Sequence, residues 1–211
     1  MLYIILAFLL GTLAGGGYAA LRRGPAADGG TGRLSRSALL AATANGALWA
    51  LCLFRFGFTP DAALACALCS VLLIAALVDA RTGEIPPLCS LATLLLGALR
   101  LLLHLSQWPT QVIGLFAVAG PLLLLLLLSK GRAIGGGDVK LLAGCGLFLG
   151  WKLILLAFLL ACLLGSVIHL IRMRFFGAGR SLALGPYLAA GIVLCLLWGD
   201  ALLNAYLGLF R

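Results

Sequence analysis

Negative charge is nearly missing from this chain. Of 211 residues only six are acidic, against fifteen lysines and arginines and two histidines. Charged residues of both signs amount to 10%, while 64% are hydrophobic, and mean hydropathy is +1.19. A soluble globular domain, typically about 45–50% apolar, is thereby excluded. Zinc-finger chemistry lacks its ligands as well. Cys66 and Cys69 spell a C-x-x-C, but no second pair stands at zinc-ligand spacing and no histidine is nearby. All seven cysteines lie in or beside apolar runs, where a free thiol packs as a small hydrophobe. The net charge of +9 does not form a basic face for nucleic acid, because the basic residues sit in short loops between apolar runs. There they act as topology signals and as contacts to anionic membrane lipid.

What is there is a succession of membrane-length segments, and the expected fold class is all-α, a polytopic transmembrane helical bundle of about eight helices. Leu2–Leu21 lacks a basic stretch ahead of its apolar run, so it reads as a first span rather than a signal peptide, stopped by Arg22 and Arg23. Further spans are expected at Ala38–Phe54, Ala62–Val78, Pro87–His104 and Gln111–Leu128. A shorter sixth follows at Val139–Gly150, then Leu153–Ile171 and Leu182 to about Trp198. The whole, 1–211, is expected to be a single transmembrane domain, with 1–37 a reduced N-terminal span and loop and 38–211 the core.

With the N-terminus outside, the inner loops hold Arg22, Arg23, Arg33, Arg36, Arg81, Lys130, Arg132, Lys140, Arg172, Arg174 and Arg180, eleven in all. The outer side holds three, Arg55, Lys152 and Arg211, and Arg100 falls within the fourth span. The positive-inside rule therefore turns that face to the cytoplasm. Two spans separate Asp79 from Asp138, so both carboxylates emerge on the inner side.

Those two aspartates are the candidate chemistry. Asp79 ends the apolar run Ala62–Val78, and Asp138 follows Gly135-Gly136-Gly137 at a polar break between apolar segments. Irregular backbone is tolerated at membrane depth only against protein or water, and three glycines allow close approach to a neighbour or substrate. A carboxylate near the bilayer is costly and marks function by default, although capping of a helix beginning at Val139 would explain Asp138 alone. Two facing aspartates at low dielectric share one proton: one activates water while the other polarises a carbonyl, a metal-free route to peptide hydrolysis. No serine or cysteine has a convincing histidine partner, and His104 and His169 fall near opposite faces. The opposed reading is a non-catalytic transporter or assembly protein that couples protons or ions through paired acids.

The segment Gly135-Gly136-Gly137-Asp138-Val139-Lys140-Leu141 resembles the G-x-G-D-V-K-L motif of the type IV prepilin peptidases, the prepilin leader peptidase family of GxGD intramembrane aspartyl proteases. Val78-Asp79-Ala80-Arg81-Thr82-Gly83-Glu84-Ile85-Pro86 is similar to that family's first aspartate motif. Further similarity lies in Phe54-Arg55-Phe56-Gly57 and in Leu184-Gly185-Pro186-Tyr187-Leu188-Ala189, and the whole extends over roughly residues 35 to 200. The presenilin type of protease also uses G-x-G-D, but pairs it with Tyr-Asp and Pro-Ala-Leu, which this chain lacks.

The resemblance implies an aspartic endopeptidase of the bacterial inner (cytoplasmic) membrane, with Asp79 and Asp138 as catalytic dyad and no cofactor. It would remove the short basic leader from prepilins or pseudopilins, serving a type IV pilus or protein secretion, at the cytoplasmic face and after a glycine. Gly135, Gly136 and Gly137 would support the substrate, Lys140 would tune Asp138 or meet the substrate, and Glu84 would attract the leader. Ordinary interfacial roles for Lys140 and Glu84 stand beside these. Many family members also N-methylate the new amino terminus and carry two C-x-x-C pairs in a long loop after the first span. Here that loop, Arg22–Ser37, has no cysteine, so N-methyltransferase activity is not expected.

Overall fold

The structure, a computed structural model, describes residue 5 and residues 9–13, 36–131, 134–176 and 183–208. Most of the first expected span and the basic loop after it, with Arg132, Ala133 and Arg180, lie outside the described residues. The described chain is a helical membrane bundle without strands. Its helices are α1 (Arg36–Phe56), α2 (Pro60–Thr82), α3 (Pro87–Leu103), α4 (Trp108–Ala117), α5 (Ala119–Leu128), α6 (Gly136–Leu149), α7 (Trp151–Phe176) and α8 (Gly185–Gly208). A short 3₁₀ turn, Leu105–Gln107, joins α3 to α4. Five segments are long and apolar enough to cross a membrane: Ala38–Phe56, Pro60–Thr82, Leu105–Leu128, Trp151–Phe175 and Gly185–Tyr206. Large exposed apolar side chains such as Leu102, Phe116, Leu127 and Leu170 suit a surface solvated by lipid.

The fold differs from the expected spans in three informative ways. The fifth span is broken at Val118, because Pro121 offers no N–H to the Ala117 carbonyl one turn back. The third runs one turn past Asp79, through Ala80-Arg81-Thr82, and stops where Gly83 takes φ +71° and its N–H bonds the Asp79 carbonyl at 2.8 Å. The sixth begins at Gly136 rather than Val139, with Gly135 as its N-cap residue, so Asp138 is the third helical residue and not the cap.

The chain divides into two compact units, Met1–Leu73 and Ile74–Arg211. In the first, a buried polar network ties the helical residues 9–13 to α1 and α2. Asn45 Nδ2 donates to the Gly11 carbonyl at 2.8 Å, Ser70 Oγ donates to Asn45 Oδ1 at 3.0 Å, and Trp49 Nε1 donates to Ser70 Oγ at 2.8 Å. Cys52 and Cys69 lie 3.6 Å apart at sulfur and are fully buried, as expected of thiols that pack as hydrophobes.

The second unit is built around α6, which packs against α3, α4, α5 and α7 and is apolar and buried for most of its length. Small residues let the helices close in: a side-chain carbon at Gly114 or Gly146 would strike the backbone of the other helix. At 14 residues α6 is about 21 Å long, short of a bilayer's hydrocarbon core, so its last carbonyls need partners at depth. Arg100 of α3 supplies one. Its guanidinium donates to the Phe148 carbonyl and lies 4.8 Å from the centroid of the Phe148 ring. A cation at the negative end of the helix dipole thus holds the far end of the rod that carries Asp138.

Candidate active site

The second unit brings together three chain segments, the end of α2, the start of α6 and the start of α8. Asp79 reaches the site because α2 stays helical past it, which buries the carboxylate at 4% exposure. Gly83 then reverses the chain, and Ile85, also buried, lodges against the first turn of α6. A Cβ at Gly137 would sit 3.0 Å from the Ile85 Cβ and 3.2 Å from its carbonyl oxygen, so the triglycine lets the Asp79 loop and the Asp138 helix touch. Pro86 and Pro87 start α3, whose Ser90 Oγ donates to the Gly137 carbonyl at 3.4 Å.

The two carboxylates have unlike surroundings. Asp79 Oδ2 accepts the N–H of Gly185 at 2.7 Å, a bond that joins residues 106 positions apart. Gly185 opens α8: the Tyr187 and Leu188 N–H groups bond the Leu184 carbonyl, and Pro186 has no N–H to offer. The first donor of α8 is therefore spent on Asp79, which caps that helix from across the site. The fit is tight, for a Cβ at Gly185 would lie 2.7 Å from Asp79 Oδ2 and 2.8 Å from its Cβ and Cγ.

Asp138 lies in the first turn of α6, outside the five membrane-length segments. Its Oδ1 is buried with no hydrogen-bond partner among the described residues. Burial, and after it the negative charge of Asp79, push the Asp138 carboxyl up to about 6, while a hydrogen bond from the Gly135 backbone pulls the other way. Asp138 is thus close enough to Asp79 to feel its charge. An unpartnered buried oxygen beside a second carboxylate is the arrangement in which a proton or a substrate group completes the set.

The other expected residues divide. Gly135, Gly136 and Gly137 form the cap and first turn that present Asp138. Lys140 is exposed, two positions and about 200° round the helix from Asp138, so it does not face that carboxylate. Glu84 is exposed in the loop five residues after Asp79, its backbone bonded to Thr82 Oγ1. Among the described residues no group of three His, Cys, Asp or Glu could hold a metal ion. Gly185 is the site residue that sequence reasoning missed. In the sequence the Leu184-Gly185-Pro186 element is only a family likeness, and nothing local in it points at Asp79.

Comparison with known proteins bears on this arrangement. No solved structure matches the chain. A protein of Burkholderia pseudomallei (strain 1026b) named prepilin leader peptidase/N-methyltransferase is 37% identical over 173 residues, covering 74% of this chain and 53% of its own. Proteins of the same name from Pseudomonas aeruginosa and Bacillus subtilis (strain 168) are 32% and 31% identical over 163 and 173 residues. They cover 73% and 74% of this chain, and 56% and 66% of their own lengths. The chain therefore spans about half to two thirds of the length of these relatives. Residues 66–170, which include both aspartates and the loop that joins them through Ile85, match the type IV leader peptidase family, to which this chain belongs.

Proposed function

We propose that the chain is a membrane-embedded aspartyl endopeptidase that removes the basic leader from type IV prepilins or pseudopilins. The observation that carries this reading is the pair itself, a buried Asp79 and a half-buried Asp138 that feels its charge, in unequal settings. Asp79, its Oδ2 occupied as an acceptor of the Gly185 N–H, serves as the ionised base. Asp138, half-buried with its Oδ1 enclosed and unpartnered among the described residues, carries the shared proton. Water attacks the scissile carbonyl carbon and gives its proton to Asp79, while Asp138 donates its proton to the carbonyl oxygen. Collapse of the tetrahedral intermediate breaks the C–N bond as the nitrogen takes a proton from Asp79, and the gem-diol proton returns to Asp138. The cycle closes without metal or cofactor.

The substrate class follows from the family and from charge. A leader rich in lysine and arginine, attached to an apolar helix, meets a site reached from the cytoplasmic face by the positive-inside count. Glu84, exposed in the loop five residues after Asp79, engages that leader. The amides of a helix are already bonded internally, so the bond to be cut must open locally, and a glycine before the apolar helix is where that opening is easiest. The Gly135–Gly137 segment offers an edge for the extended peptide. Two C-x-x-C pairs are absent from Arg22–Ser37, so the new amino group is left unmethylated by this chain.

Coexpression with a prepilin, followed by mass spectrometric mapping of the product's N-terminus, tests the reading. The expected result is a chain-dependent cut directly after the glycine that precedes the apolar segment, with a free amino group. An intact precursor, or a cut elsewhere, would overturn it.

A further inference from the structure

At the opposite end of α6 from Asp138 lies a feature the peptidase reading does not use. Gly150, with φ +82°, ends that helix, and α7 starts at once with Trp151 and Lys152. Between this start of α7 and the last turns of α8 runs a groove of about 480 Å³. One end is formed by Trp151, Lys152 and Tyr206, and its walls by leucines of both helices, Leu155 and Leu159 of α7 and Leu203 of α8 among them.

We propose that this groove binds one anionic phospholipid, its phosphate on Lys152 and an acyl chain along the leucines. Three observations set the occupant. Tryptophan and tyrosine at the end of membrane-length helices mark the headgroup level of a bilayer, so the charged end of the groove lies where a phosphate lies. The Lys152 ammonium, on an exposed side chain, rests 5.6 Å from the centroid of the Trp151 ring, which keeps the charge at the groove's end. It is the only charged residue of the lining, and among the described residues no carboxylate pairs with it, so an anion is the complementary partner. From Trp151 to Leu159 the wall runs about 12 Å towards the membrane centre, and it is leucine throughout on the groove side. The shape therefore takes a charged head and a hydrocarbon tail. A transmembrane helix, about 10 Å across and 30 Å long, occupies several times the available volume, whereas 480 Å³ lies within the roughly 300–1,000 Å³ of single-ligand sites.

Native mass spectrometry of the purified full chain, titrated with phosphatidylglycerol or phosphatidylcholine of the same acyl composition, tests this without reference to peptidase activity. The wild type is expected to retain one phosphatidylglycerol in preference to phosphatidylcholine by roughly five-fold, the worth of one lysine at a lipid surface. Lys152→Gln is expected to erase the preference, Lys152→Arg to keep it, and Leu203→Trp, which fills the groove, to lower retention of both lipids. Equal retention of the two lipids by the wild type, or an undiminished preference in Lys152→Gln, would overturn the proposal. So would a wild-type dimer that Leu203→Trp separates without changing the lipid bound, since the groove would then hold a second copy.

Discussion

Asp79→Asn and Asp138→Asn are each expected to lower the rate of leader removal by at least about a thousand-fold, the usual scale for losing one member of a catalytic unit. Asparagine matches aspartate in shape, so the packing around Ile85, Gly137 and Gly185 survives both changes. In Asp79→Asn the side-chain oxygen still accepts the Gly185 N–H, but nothing remains to take a proton from water. In Asp138→Asn the proton donor is lost. That change also removes a carboxyl disfavoured as an anion by burial and by Asp79, so the protein is expected to insert and fold at least as well as the wild type. Coexpressed prepilin should accumulate as precursor with both variants while the chain reaches the membrane in normal amount. Full processing by either variant would sink the peptidase reading and leave the paired acids to proton or ion coupling.

Gly185→Ala is the second change with a large expected effect, a fall of about 10²–10³ in kcat/KM with membrane insertion intact. The added methyl would lie 2.7–2.8 Å from three atoms of Asp79, closer than a methyl carbon packs against non-bonded atoms. Either Asp79 turns away or the start of α8 retreats, and each movement ends the 2.7 Å hydrogen bond that fixes the base. Loss of one preorganised donor at a reacting charge costs on this order elsewhere in enzymology. The defect should fall on kcat more than on KM, because Gly185 orients Asp79 and is not assigned to the leader. Gly208→Ala, at a glycine with open space around it, should process prepilin at the wild-type rate and serves as the control. Wild-type turnover by Gly185→Ala would show that Asp79 needs no such support.

The helical membrane bundle was legible from hydropathy alone, because a span is written as a long local run of apolar residues. Asp79 and Asp138 were legible for the same reason in reverse, as rare charges beside apolar segments. What escaped was whatever depends on contact between distant segments. The Gly185 N–H belongs to Asp79 only through a bond across 106 residues, and no local pattern encodes it. The start of α6 escaped because glycine has poor helix propensity, yet the first turn is held helical by Ser90 and Ile85 packed against Gly137. The break at Val118 had a local signal in Pro121, hidden within a leucine-rich run. Lys140 is near Asp138 in sequence only, because residues two apart on a helix point in different directions.

The most direct measurement asks whether Asp138 feels Asp79. A hydrophobic carbodiimide reacts with protonated carboxyl groups, and the fraction of Asp138 modified as a function of pH, read by peptide mass spectrometry, gives its titration in place. In the wild type the midpoint is expected near 6. In Asp79→Asn the neighbouring charge is gone while burial remains, so the midpoint should move down without reaching the ordinary carboxylate range. Identical midpoints in the two proteins would mean that the carboxylates do not share a proton, and the dyad would fall with them.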